Sequence, residues 1–221
     1  MARRTKDEAL ATRHCILDAA ELLFQQHGVS RTSLQDIAQA ADLTRGAIYW
    51  HFKDKADLFN AMMERATLPL EESLAIGEEL PPDQDPLAFI EDRFVQALRL
   101  TVHHAPTRRV FEIATHKVEY VDELQAVRDR HLLNRNQCLD QVELMLKQAA
   151  RRGIIGRRAP ARSIALGLHA LVDGLIQNWM LDPQAFDLVR VGRQVLRAYL
   201  AGLRTEACAA PAAAGGTEDA A

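Results

Sequence analysis

The sequence predicts an all-α fold of about nine helices, and two features of its 221 residues predict it. Apolar side chains recur at steps of three and four almost throughout, the spacing that gathers them on one helical face. Alternating β-branched runs bounded by turn signals, the mark of strands, are missing. A third feature divides the chain. Two short helical segments between residues 33 and 52 flank a turn of three residues, the pattern of a helix-turn-helix, and longer helices follow. The expected organisation is a three-helix domain over 1–53 and a larger helical domain over 54–204.

Taken in order, the first helix is predicted over residues 7–27. Ile16, Leu17, Ala20, Leu23 and Phe24 form its stripe, and Gly28 supplies a left-handed stop. Thr32 or Ser33 caps a short helix through Gln39: the hydroxyl accepts from an otherwise orphaned backbone amide, and Asp36 meets the positive end of the helix dipole. Ala41, Asp42 and Leu43 make the turn. Thr44 caps the next helix, which ends near Trp50, and Lys53, Asp54 and Lys55 open a longer one carrying Leu58, Phe59 and Met62. Pro69 lies inside that fourth pattern, where it removes a backbone hydrogen bond and is expected to bend or break the helix. Residues 78–86, with Pro81, Pro82, Asp83 and Asp85, form a loop. Further helices follow over 87–104, 107–117, 121–151, 160–181 and 187–204. From residue 205, small side chains, two adjacent glycines and no apolar stripe predict a disordered tail over 205–221.

Composition bounds the function. A formal charge of −3 and a pI of about 6.2 give no bulk attraction to nucleic acid, so a DNA-binding surface has to be local. Basic residues do concentrate at Arg3, Arg4 and Lys6 and again at Arg45, Lys53 and Lys55. The three cysteines, Cys15, Cys138 and Cys208, are odd in number and far apart, with no CxxC, which indicates neither a disulfide framework nor a zinc site. The basic opening lacks an apolar export core, and no window approaches the ~18 uninterrupted apolar residues of a membrane span. A soluble cytoplasmic protein without membrane attachment is expected.

The helix-turn-helix signal rests on three spaced positions. Two short helices that cross steeply need a small residue where their backbones approach, here Ala38. They need a left-handed residue at the turn, here Asp42, and a branched apolar side chain that locks the second helix down, here Ile48. Asp is less suited than Gly to the left-handed region but tolerates it through local side-chain bonding. With Ile48 inward, Thr44, Arg45, Ala47 and Tyr49 face outward on a helix short enough to enter a major groove N-terminus first. Arg45 then suits a forked contact with guanine, and Tyr49, His51 and Lys55 suit phosphates. The same spacing also accommodates an ordinary helical hairpin whose aromatic cluster, Tyr49, Trp50 and Phe52, is core.

The segment TRGAIYWHFKDKADLF, residues 44–59, closely resembles the recognition helix, aromatic-His-Phe turn and following Lys of the TetR family of one-component repressors. The resemblance continues through RRTKDEA at 3–9, ILDAAELLFQQHGV at 16–29 and TSLQDIAQAA at 32–41. It extends more weakly to TRRVFEIATHKVEY at 107–120 and LVDGLIQNWM at 171–180, and it points to the AcrR-type subgroup that represses multidrug efflux operons. It implies an Ω-shaped homodimer joined by the last two helices, with residues 54–204 binding ligand and dimerising. It implies operator contacts by Thr32, Ser33, Thr44, Arg45, Gly46, Ala47, Tyr49, His51 and Lys55. It also implies an inducer chamber with Phe111, Thr115, His169, Val172, Asp173 and Ile176, for an apolar or amphipathic drug. The chain departs from the pattern at Asp42, where Gly is usual, and at Val118, where Cys is frequent.

Other chemistry is sparse. Glu112 and His116 are four apart, as metal ligands on a helix face can be, but no third ligand stands at a fixed spacing. His169 and Asp173 interrupt an apolar helix and need each other or a ligand to offset burial. No GxSxG, HExxH or glycine-rich phosphate loop is present, so neither catalysis nor a cofactor is expected. The cysteines read as inert. The rivals to a repressor are an activator with the same reader, a helical small-molecule carrier or enzyme without DNA binding, and a dimeric scaffold.

Overall fold

A computed structural model describes residues 6–74, 80–118 and 125–204, with the backbone alone over 67–74. Nine helices account for it: α1 Lys6–His27, α2 Leu34–Ala40, α3 Arg45–His51, α4 Lys55–Leu74, α5 Pro86–His103, α6 Ala105–His116, α7 Gln125–Arg151, α8 Ala161–Leu181 and α9 Leu188–Ala201. Among the described residues the only strand-like pairing is one isolated bridge between Ile155 and Arg204. The expected tail over 205–221, with Cys208, and the first residues expected of α7 lie outside the described residues.

The helix ends follow local chemistry. Gly28 stops α1 at φ 83°, its N–H donating to the Phe24 carbonyl at 2.9 Å. Ser33, not Thr32, caps α2: its Oγ accepts from the Asp36 N–H at 3.2 Å, and the Asp36 carboxylate accepts from the Ser33 N–H at 2.9 Å. Those bonds from Ser33 hold the Asp36 carboxyl below its ordinary value. Asp54 caps α4, Asp85 caps α5 with Pro86 in its first turn, and Asp187 caps α9.

Three expectations are corrected. Pro69 does not break α4, which runs on to Leu74. Helix α6 begins at Ala105, two residues before the expected start, because Pro106 occupies its first turn, where a missing N–H costs nothing. Helix α9 ends at Ala201, and Arg204 instead turns back to pair with Asp85 at 2.5 Å.

Packing makes two apolar cores. The first joins α1, α2, α3 and the start of α4, and it also takes in Val110 and Ile113 of α6 and Val127 of α7. The second joins α5, α7, α8 and α9 around Phe94, Leu98, Leu146, Leu168 and Leu196. Helix α9 lies close on α5 because position 192 is glycine: a Cβ there would collide with the Leu98 side chain. Helix α6 therefore belongs to the core of the N-terminal helices while its other side faces the seam between the two cores. A cavity opens along that seam.

Candidate nucleic-acid interface and ligand chamber

The α2–α3 pair is built as its spacing predicts. Ala38 and Ile48 are fully buried, and Asp42 takes φ 54° so that the Leu43 N–H reaches the Ala38 carbonyl at 2.9 Å. Thr44 caps α3, its Oγ1 accepting from the Ala47 N–H at 3.2 Å. Once Ile48 is committed inward, helical geometry turns Arg45, Gly46 and Tyr49 out to solvent, with Ala47 half-buried between them. Arg45 lies over the Tyr49 ring and donates to its hydroxyl at 2.9 Å. Tyr49 is 48% exposed and Trp50 71% exposed, so only Phe52 of the aromatic cluster is core, and the ordinary-hairpin alternative loses its basis. An exposed Trp is anomalous on a free surface. Trp50 stands edge-on to His51 at 4.5 Å and belongs to the same outward patch, a role its apolar character hid in the sequence.

Two residues expected at this surface turn away from it. Thr32 is 2% exposed, and its hydroxyl donates to the Gly28 carbonyl at 2.8 Å. Lys55 is 8% exposed, and its ammonium reaches the Ser30 carbonyl at 3.4 Å, tying α4 to the loop before α2. Both side chains hold the loop in place and present no face to a groove. Ser33 and Thr44 remain exposed at the N-termini of α2 and α3.

The seam cavity encloses about 450 Å³, within the range of small-molecule sites. Phe111, Thr115, His169, Val172, Asp173 and Ile176 all line it. The structure does not join His169 to Asp173: Asp173 is exposed towards the cavity and accepts from Gln177 at 2.6 Å. Burial pushes the His169 imidazole below its ordinary value, and Arg135 and His131 add to this against the opposing pull of Asp173. The polar wall contributed by α7, with Arg130, His131, Asn134, Arg135 and Gln141, and the Asn60 amide of α4 are absent from the expected set. Cys138 is also in the wall, and burial raises its thiol to about 11, which keeps it protonated and unreactive. Glu112, considered above beside His116, instead accepts from Gln25 of α1 at 2.9 Å.

Helix α6 connects the two places. Phe111, Ala114 and Thr115 face the cavity. Arg109 donates to Glu21 of α1 at 2.9 Å, and Arg65 of α4 donates to the same buried carboxylate at 3.0 Å. Past the helix end, the Lys117 carbonyl accepts from the Val29 N–H at 3.0 Å. Helix α6 thus touches both the cavity and α1, on which α2 packs.

Comparison with known proteins agrees with this arrangement. Residues 16–62 match the family described as "Bacterial regulatory proteins, tetR family", and residues 85–205 match "MAATS-type transcriptional repressor, C-terminal region". The chain is 39% identical over 203 residues to the "HTH-type transcriptional regulator AcrR" of Shigella flexneri, covering 90% of this chain and 93% of that one. Among solved structures it is similar to NalD, the secondary repressor of the MexAB-OprM multidrug efflux pump in Pseudomonas aeruginosa. The TM-score is 0.81 at 34% identity, covering 90% of this chain and 98% of that one. It is also similar to the SmeT–triclosan complex, with a TM-score of 0.78 at 31% identity over 89% of this chain and 93% of that one; SmeT is the repressor of the SmeDEF multidrug efflux pump of Stenotrophomonas maltophilia. An exposed reading helix held on a buried helix pair, a helical chamber behind it, and identity spread over nine-tenths of the sequence lead to one assignment: the chain belongs to the TetR family of transcriptional regulators and is not an enzyme.

Proposed function

We propose that this protein is a ligand-responsive repressor of a multidrug efflux operon, acting in the cytoplasm as a homodimer on a pseudo-palindromic operator. The observation that carries the reading is the outward face of α3, where Arg45 and Tyr49 are exposed on a helix whose opposite side is locked by Ile48. In the operator complex Arg45 leaves the Tyr49 hydroxyl and forks onto a guanine edge, while Thr44, Gly46, Ala47, Tyr49 and His51 approach base edges and phosphates. Two copies of α3 must stand about 34–36 Å apart to enter successive major grooves. Helices α8 and α9 supply the means, since Leu166 and Leu181 of α8 are exposed in the single chain and a second copy would cover them.

An apolar or amphipathic drug in the seam cavity would favour a conformer in which α6 shifts and the two reading helices lose that spacing. The relatives named for efflux-pump repression and the SmeT complex with triclosan support this reading. The coupling is reciprocal, so each tenfold loss of operator affinity needs ~1.4 kcal/mol of differential ligand binding between conformers. The test is a mobility shift of the purified protein on the intergenic DNA upstream of its own gene, with and without a panel of drugs. Specific, salt-dependent binding that a drug reverses is expected; binding that does not discriminate this DNA from scrambled sequence would exclude the reading.

A further inference from the structure

The apolar half of the seam cavity says little about what enters it, but the polar half is uneven in charge. Among the described residues the charged and titratable groups on its wall are Arg130, His131, Arg135 and the Cys138 thiol from α7, and His169 and Asp173 from α8. Asp173 is, among the described residues, the single acid of this wall, and it accepts from Gln177 at 2.6 Å. Among the described residues Arg135 hydrogen-bonds only the Asn136 amide oxygen, at 3.0 and 3.3 Å. Arg130 has a long contact of 3.8 Å with Glu64, and its Nε–H is buried without an acceptor. Two further wall atoms, Asn60 Oδ1 and Gln141 Oε1, are buried without a donor. A buried polar group left unpaired costs about 1–3 kcal/mol, so a partner that completes these groups gains that much at each.

We propose that the chamber selects amphipathic ligands bearing an anionic head on an aromatic body. The head lies against Arg130 and Arg135, and the body packs between Phe94, Phe111, Val172 and Ile176. The selection rests on reading this cavity as the inducer chamber, but it is a statement about binding and can be tested apart from DNA release. An anion there accepts from the Arg135 guanidinium and meets the positive charge of Arg130. A cationic amphipath of equal size meets two arginines against one carboxylate.

The test compares two probes with the same aryl-naphthylamine body: anionic 1-anilinonaphthalene-8-sulfonate and uncharged N-phenyl-1-naphthylamine. Each is titrated by fluorescence into the full-length protein without DNA. Arg130→Gln and Arg135→Gln are each expected to weaken the sulfonate about tenfold, which is ~1.4 kcal/mol, and to leave the neutral amine within about twofold. Asp173→Asn is expected to tighten the sulfonate and leave the amine unchanged. A change in packing alone moves both probes together, so equal shifts for the two probes overturn the proposal, as does an unchanged sulfonate affinity in both arginine variants. Should Arg130→Gln fail to fold, Arg135→Gln and Asp173→Asn carry the comparison. Operator release by the sulfonate is scored separately: charge-selective binding without release upholds the selection and removes the inducer reading.

Discussion

Arg45 is stacked on the neighbour it must leave to reach a base, and the cost of leaving is that of one exposed hydrogen bond and one exposed cation–π contact, roughly 1 kcal/mol. A bidentate guanine contact contributes about 1–3 kcal/mol of discrimination, so the exchange favours DNA. Arg45→Ala is therefore expected to weaken operator binding by up to about 30-fold in a mobility shift and to reduce discrimination against scrambled DNA, while the melting temperature falls by no more than about 2–4 °C. Gly28 is a different kind of residue. A Cβ there would meet only the Lys117 carbonyl, at an ordinary 3.5 Å, so the obstacle to substitution is the left-handed backbone itself. Gly28→Ala is expected to cost about 1–2 kcal/mol in a denaturant titration and to leave probe binding in the chamber intact. Such residues were legible before the structure because their causes are local: Gly28, Ser33, Asp42 and Thr44 each act within four positions of themselves. Thr32 and Lys55 look like surface donors in the sequence but turn inward in the fold: Thr32 onto the Gly28 carbonyl, four positions away, and Lys55 onto the Ser30 carbonyl, which only the tertiary approach of α4 to that loop supplies.

Helix α6 does two jobs with one apolar stripe, and that is why its sequence reveals only one of them. Its core-facing side, Val110 and Ile113, follows the usual three-residue spacing, whereas Arg109 and Glu112 look like surface charges until α1 brings Glu21 and Gln25 against them. Glu21→Ala leaves Arg109 without its carboxylate and Arg65 with Asp18 alone, and both guanidinium groups, about 30% exposed, stay partly solvated. The expected cost is ~1–3 kcal/mol of stability, together with a raised drug concentration for operator release, read by mobility shift across a drug titration. Helix α8 carries a pH dependence. His169 has a folded pKa below its unfolded one, mainly from burial, so the unfolded chain takes up the proton first as pH falls below about 6.5. Its contribution to stability is complete above that pH and is lost as pH falls through the folded pKa. His169→Gln is expected to flatten the decline in melting temperature between neutral pH and about pH 5; an unaltered slope would place the acid sensitivity elsewhere. The polar wall of α7 escaped prediction because Arg130, Asn134, Arg135 and Gln141 look like an ordinary solvated face, and only the docking of α4, α6 and α8 turns that face into the inside of a cavity.

At the scale of the molecule, two cores share a seam, and the seam holds both the cavity and the helix that joins chamber to reader. Binding there is well placed to act at a distance, since α6 packs on the chamber and on α1 at once. The fold class was plain from periodicity, since stripes at three- and four-residue steps have one structural outcome, but the way the stripes pair was not, because pairing depends on features such as the glycine at 192 that admits α9 onto α5. The central claim is that one exposed face, presented twice at the spacing of a DNA turn, is governed from that seam. Footprinting the protein on its own upstream DNA measures this most directly. Protection is expected over two half-sites whose centres lie about 10 base pairs, or a multiple, apart, and it is expected to disappear when a chamber ligand is added and to be absent in Arg45→Ala. Protection of a single half-site, or protection that survives saturation of the chamber, would contradict the account.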